Sequence, residues 1–248
     1  MIDLSRKLPL VEKFLSIQGE GYHAGRSALF IRFSGCNLDC VFADGSICDT
    51  PWRGAKESPS LGDVLEWIEE NIPNQDIAIG PSSSSPFNQI MVILTGGEPT
   101  LALGFDDLVK GLSELPVFIA VETNGTLWRE TLPLCHWVTV SPKDLPGISH
   151  AKPKSPPGVN SSVLLMCPQE FRYVITGPHD FRDVPDDYFD SASNHFVSPA
   201  LMADGSGLEW QRGVPEFTPG AVQRCLEIIA ERPFIRLSLQ THKWICVR

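Results

Sequence analysis

The chain has 248 residues, 42% of them hydrophobic and 20% charged, with a net charge of −10 and a pI near 5.0. This is the composition of a globular protein able to bury a substantial core, and its acidic balance argues against a broad nucleic-acid face, which needs a basic surface. No apolar run approaches the length of a membrane span, and the N-terminal stretch MIDLSRKLPLVEKFLSIQGEG has neither a long apolar centre nor a small-residue cleavage site, so a soluble cytoplasmic protein with no membrane or nucleic-acid partner is expected.

In chain order, ALFIRFS (28–34) is apolar, β-branched and aromatic and predicts a strand. LGDVLEWIEENI (61–72) places Leu61, Val64, Leu65 and Ile68 on one helical face, with Ser60 and Asp63 as a capping box ahead of it. Residues 73–89 read as a loop tipped by a serine run, and IMVILT (90–95) as a strand running into GGEPT. FDDLVKGLSEL (105–115) predicts a helix, VFIAVETNG (117–125) and WVTVSPK (137–143) two strands with polar ends. The stretch 144–169, rich in proline and glycine, reads as a long excursion. EFRYVITG (170–177) and HFVSPAL (195–201) predict strands, and TPGAVQRCLEIIAER (218–232) a helix with Thr218 as N-cap, Pro219 at the first helical position, and Val222, Cys225, Leu226 and Ile229 inward. FIRLSLQTHKW (234–244) predicts a closing strand.

Strands alternate with helices, and some connections, such as 126–136, are too short for a full helix. The expectation is an α/β fold with mainly parallel strands, an incomplete β/α barrel forming a single domain over residues 1–248, its active site at the C-terminal strand ends.

Seven cysteines occur, and an odd number argues against a disulfide framework. Cys135 and Cys225 sit among apolar residues and are expected to be buried small hydrophobes. Cys36, Cys40 and Cys48 crowd into FSGCNLDCVFADGSICDT. Three readings compete for that trio: a zinc site completed by His23, chance packing of three thiols, or an iron–sulfur cluster with one iron left open for a ligand. TGGEP (95–99), ETNGT (122–126) and SPK (141–143) each close a predicted strand, and three polar strand ends beside a cysteine loop favour one shared site.

SIQGEG (16–21), GRSALFIRFSGCNLDC (25–40), CDTPW (48–52), TGGEPTL, VETNGT, VSPK and RLSLQTHK (236–243) together resemble the radical S-adenosylmethionine (SAM) enzymes and, more narrowly, the 7-carboxy-7-deazaguanine synthase family of 7-deazapurine and queuosine biosynthesis. The resemblance implies a lyase that turns 6-carboxy-5,6,7,8-tetrahydropterin into 7-carboxy-7-deazaguanine with loss of ammonia. It implies a [4Fe–4S] cluster on Cys36, Cys40 and Cys48, with SAM on the fourth iron. Gly96, Gly97, Glu98, Glu122, Ser141 and Lys143 would bind SAM. Gln18, Glu20, Arg26, Thr95 and His242 would serve the substrate, and Thr50 would ligate Mg²⁺ beside it. A flavodoxin-like electron donor and a homodimer are implied as well. Competing functions are a glycyl-radical activase and a non-catalytic zinc or iron–sulfur protein.

The spacing departs from the superfamily's common pattern, in which two residues separate the second and third cysteines and an aromatic precedes the third. Removing ADGSI (43–47) leaves CNLDCVFCDTPW, which restores it. Residues 43–47 therefore read as an insertion that bulges outward through the turn formers Asp44, Gly45 and Ser46. Either Phe42 or Ile47 would then lie against the SAM adenine.

Overall fold

The computed structural model describes residues 2–43, 45, 47–48, 50, 52–73, 89–151, 153–154, 156–178, 181, 184–202 and 216–247. Among them run β1 (Leu10–Ile17), β2 (Ser27–Phe33), β3 (Cys40–Phe42), α1 (Leu61–Glu70), β4 (Met91–Gly96), α2 (Phe105–Leu112), β5 (Phe118–Thr123), β6 (Trp137–Val140), β7 (Ile148–His150), α3 (Ser161–Leu165), β8 (Glu170–Ile175), α4 (Asp186–Asp190), β9 (Asn194–Pro199), α5 (Ala221–Glu231), β10 (Ile235–Leu237) and α6 (Thr241–Trp244). Eight strands form one sheet in the order β1-β2-β4-β5-β6-β8-β9-β10. From β2 to β10 every neighbour is parallel, and only β1 runs antiparallel, against β2. The expected mainly parallel sheet is present. The loop after β1 reaches the far end of that sheet: Thr241 N–H donates to Gly19 O at 3.0 Å and Gly21 N–H to Ser238 Oγ at 2.9 Å.

The period-two alternation of the strands sorts their side chains. Leu29, Ile31, Val92, Leu94, Ile119 and Val121 face outward into a core completed by Leu61, Val64 and Ile68 of α1 and by Leu108 and Leu112 of α2. The inner face begins apolar, with Ala28, Phe30, Met91, Ile93, Phe118, Ala120 and Trp137. One layer further along it turns polar: Arg32 pairs with Thr95, Glu122 with Thr139 and Thr139 with Glu170. This switch puts chemistry at the C-terminal strand ends.

The capping box forms, with Asp63 N–H donating to Ser60 Oγ at 3.1 Å and Ser60 N–H to Asp63 Oδ2 at 2.8 Å. Other details differ from expectation. β1 was not anticipated, because LVEKFLSI mixes charge into an edge strand. The excursion 144–169 is not a plain loop; it contains β7 and α3. Helix α5 is capped by Gly220, at φ 79°, rather than by Thr218, whose carbonyl instead accepts from Ala221 N–H. Its buried stripe is accordingly Ala221, Cys225 and Ile228, while Leu226 stays exposed. The closing strand stops at Leu237, and Thr241 and His242 lie on α6, because Thr241 bonds to Gly19 instead of continuing a ladder. The predicted loop 73–89 falls largely outside the described residues.

Candidate active site

A cavity of about 180 Å³ lies at the C-terminal ends of the parallel strands. The cysteine loop forms one wall. Cys36 follows β2, Cys40 opens β3, and Cys48 follows the turn that the extra residues make. That turn is tight: Gly45, at φ 83°, donates its N–H to Phe42 O at 2.9 Å, and Ile47 bridges back to Val41. Ala43 and Gly45 are exposed, as an outward bulge requires; Asp44 and Ser46 lie outside the described residues.

β7 clamps the loop. Cys40 pairs with His150, Val41 with Ser149 and Phe42 with Ile148. Ala151 N–H donates to Asp39 O at 3.1 Å and Lys154 N–H to Asn37 O at 2.8 Å. The excursion after β6 thus fixes the backbone that carries the cysteines. Buried Asn37 ties it to the next strand end, donating to Thr126 Oγ1 at 2.7 Å and accepting from Asn124 Nδ2 at 3.0 Å.

None of the three cysteines is in a disulfide. Burial pushes Cys36 up to about 11 and Cys40 up to about 12, each raised further by Cys48, while the Lys143 ammonium works in the other direction. Such thiols become thiolates only with a bound cation to compensate, the usual coupling of metal binding to cysteine ionisation. Among the described residues no three His, Cys, Asp or Glu side chains converge on one metal ion. A cluster does not need that, since each cysteine takes a different iron. His23 is at the opposite, N-terminal end of the sheet, 4.3 Å from the Trp137 ring and beside Phe118, which removes it as a fourth zinc ligand.

Of the remaining candidates, Phe42, Thr50, Thr95, Gly96 and Gly97 line the cavity, as do Glu20, Glu122, Ser141 and Lys143 with Cys40 and Cys48. Lys143 Nζ donates to Ser141 Oγ at 2.6 Å. Gln18 is just behind the lining and donates from Nε2 to Glu122 Oε1 at 3.0 Å. His242 packs on Gly19, where an added Cβ would fall 1.9 Å from its Nδ1.

Glu98 is turned away from the cavity. It is fully buried, accepting from Thr100 N–H, Thr100 Oγ1, Thr123 Oγ1 and Asn124 N–H at 3.1, 2.5, 2.7 and 2.7 Å. Burial raises its pKa, and these donors oppose the shift. Arg26 is not at the mouth either. It sits at the start of β2, its guanidinium 4.5 Å from the Phe118 ring and donating to Gln89 O at 3.1 Å. A residue preceding a parallel strand belongs to the end opposite that strand's C-terminal loop. The arginine on the polar layer of the inner face is Arg32, which donates to Glu12 Oε1 at 2.9 Å.

Sequence reasoning missed Arg172, Asn124, Ser198 and Gln240, all of which line the cavity. For Arg172 a signal existed: EFRYVIT alternates charged with aromatic residues, which puts Glu170 and Arg172 on one face of β8 and Phe171 and Tyr173 on the other.

No family model matches the chain. A 7-carboxy-7-deazaguanine synthase from Prochlorococcus marinus is 31% identical over 261 residues, covering 98% of this chain and 100% of that relative. Another from Bacteroides thetaiotaomicron is 33% identical over 237 residues, covering 96% and 97%. The crystal structure of QueE from Escherichia coli aligns with a TM-score of 0.59 at 23% identity over 95% of both chains, a likeness of fold. End-to-end similarity to these synthases means that the chain belongs to the 7-carboxy-7-deazaguanine synthase family.

Proposed function

We propose that the cavity converts 6-carboxy-5,6,7,8-tetrahydropterin into 7-carboxy-7-deazaguanine and ammonia, as a radical SAM lyase. The observation that carries this reading is the meeting of Cys40, Cys48, Gly97, Lys143, Glu20 and Glu122 around one cavity in a chain related to these synthases over its whole length. Cys36, Cys40 and Cys48 would hold a [4Fe–4S] cluster and leave one iron for the amino and carboxylate groups of SAM. Bound there, cluster and SAM supply one-electron reductive cleavage and hydrogen-atom abstraction.

The chain's own residues bind and orient. Gly96 and Gly97 offer backbone without side-chain obstruction. Lys143, paired with Ser141, offers a cation to a carboxylate. Glu98 acts indirectly, by fixing Thr123 and Asn124 at the end of β5. Phe42 has the better claim to the adenine, since it lines the cavity while Ile47 pairs with Val41. Gln18 and Glu20 suit the N–H donors of a pterin edge, and Glu122, expected at SAM, is reassigned to that edge because Arg172 ties it to Glu20 and Gln18 donates to it. Thr50 offers a hydroxyl oxygen to Mg²⁺, a hard cation that prefers oxygen. A flavodoxin-like donor and a homodimeric assembly complete the reading. No described helix is long and apolar enough to cross a membrane.

The test is anaerobic incubation of reduced, iron-reconstituted protein with SAM and the carboxypterin, followed by mass spectrometry. The expected product is the substrate less ammonia, with SAM undiminished. SAM consumption without any deazaguanine would refute the assignment. Thr50→Ala is expected to remove stimulation by Mg²⁺ while iron content stays at the wild-type level; a variant still fully stimulated would leave Thr50 a plain loop residue.

A further inference from the structure

Glu20 and Glu122 reach the cavity from different walls, one on the loop after β1 and the other on β5, yet both are tied to the same guanidinium. Arg172 Nη1 donates to Glu20 Oε2 at 2.5 Å and to Glu122 Oε1 at 3.2 Å. Its Nε and Nη2 are occupied by a third carboxylate, Glu170 Oε1, at 3.1 and 2.8 Å. Both members of that last pair are buried, at 7% and 1% side-chain exposure. Glu170 is itself anchored, its Oε2 accepting from Tyr22 N–H at 3.0 Å. Gly21 lets the loop pass over the pair, because a Cβ there would fall 2.1 Å from Glu170 Oε1 and 2.7 Å from Arg172 Nη2.

Three carboxylates around one guanidinium leave two negative charges in excess. A buried excess of charge is unfavourable unless further donors meet it. Glu122 receives some from Gln18 and from Thr95 Oγ1, the latter at 3.0 Å. The cavity faces both Glu20 and Glu122, and a row of N–H groups there would complete the set. A planar, five-donor fork is the side chain suited to hold two carboxylates at a fixed separation; a lysine cannot do so.

We propose that Arg172, oriented by Glu170, is a positioning residue for the substrate: it holds Glu20 and Glu122 at a fixed spacing from which they receive the amine and amide N–H groups of the pterin ring. The inference rests on the pterin reading above. Burial alone would raise the carboxyl of Glu122, but Arg172, Gln18 and Thr95 outweigh it and hold it below the usual range. The charged or titratable groups around Glu122 are Arg172 on β8 with its other partners, Glu170 on β8 and Glu20 on the loop after β1, and, lining the same cavity, Lys143 after β6 with Cys40 and Cys48; His242 on α6 packs on Gly19 of the loop after β1. Removing the Arg172 charge therefore moves Glu122 ionisation to higher pH.

The experiment measures carboxypterin binding by calorimetry across pH, on anaerobically reconstituted wild type, Arg172→Lys, Arg172→Gln and Glu170→Gln, with SAM affinity as reference. Arg172→Lys keeps the charge and loses the fork, so its Kd for carboxypterin is expected to rise about tenfold with the acid limb of binding in place. Arg172→Gln is expected to shift that limb upward by about one pH unit. Glu170→Gln, which leaves every lining side chain in place, is expected to raise Kd about threefold. SAM affinity stays within about twofold throughout. Titration of the substrate is common to all variants and cancels in the comparison. Unchanged carboxypterin affinity in Arg172→Lys and Glu170→Gln overturns the proposal, as does an equal loss of SAM and carboxypterin binding. If Arg172→Gln does not fold, those two variants still decide. A wild type that binds carboxypterin without turning it over refutes the proposed reaction and leaves the positioning role to be judged on affinity; a wild type that does not bind it refutes both.

Discussion

Single alanine replacement of Cys36, Cys40 or Cys48 is expected to bring iron content after anaerobic reconstitution down to background and to abolish SAM cleavage. The fold should survive. The three thiols lie in the segment after β2, Cys40 at the start of β3, outside the apolar cluster that joins Leu29, Ile31, Val92 and Ile119 to α1 and α2. The loop backbone is also held independently of its sulfurs, by the β3–β7 ladder and by Asn37. Loss of iron with unchanged far-ultraviolet circular dichroism would therefore report ligation. Cys135→Ala and Cys225→Ala are the contrast. Both side chains are buried in the core, so they are expected to lower stability by roughly 1 kcal/mol while iron stays at the wild-type level. Cys48→Ala with a full complement of iron would break the assignment, and with it the view of residues 43–47 as an insertion between two ligands.

Much of the sheet was legible because burial leaves a direct mark on composition. ALFIRF, IMVILT and VFIAVET are apolar on both faces, as strands covered on both sides must be. The cysteine trio and the polar strand ends could be grouped because parallel strands carry their sites at one end. What failed concerned direction and side. Arg26 is close in sequence to the cysteine loop, but the seven residues of β2 lie between them. At about 3.3 Å per residue that is more than 20 Å, the height of the sheet. The resemblance carried by TGGEP puts Glu98 at SAM; its carboxylate is instead used up by Thr100, Thr123 and Asn124. β7 was hidden because ISH, between Pro146 and Lys154, becomes a strand only by pairing with CVF from more than a hundred residues earlier. Such long-range pairings leave little local signal.

Gly96→Ala and Gly97→Ala are expected to be the most damaging glycine substitutions at the site, for two different reasons. At Gly96 the backbone itself is special: φ is 131°, and an added Cβ would fall 2.2 Å from Phe33 O and 2.6 Å from Phe33 N. Phe33 is its partner in the β2–β4 ladder, so neither atom can retreat without opening the sheet. The unfavourable conformation costs about 1–3 kcal/mol and the overpacking about 1–3 kcal/mol more. At roughly 2–4 °C per kcal/mol for a chain of this size, the melting temperature should fall by about 4 °C or more. Gly25→Ala is the control: its φ is 89°, but nothing lies within 4 Å of the added Cβ. It carries the conformational penalty alone, and equal shifts for the two variants would show that the contact with Phe33 relaxes freely. Gly97 has no positive φ to lose, and its Cβ would strike Gly35 O at 2.1 Å and Trp52 Cβ at 2.9 Å. Gly35 directly precedes Cys36, and Glu98 N–H donates to Gly35 O at 3.0 Å. Relief of the clash must therefore push the start of the cysteine loop away from β4. Gly97→Ala is expected to lose iron out of proportion to its loss of stability, measured as iron per folded chain, whereas Gly25→Ala keeps its iron. Wild-type iron in Gly97→Ala would mean that the glycine serves the sheet and that Cys36 is placed by the β3–β7 ladder alone.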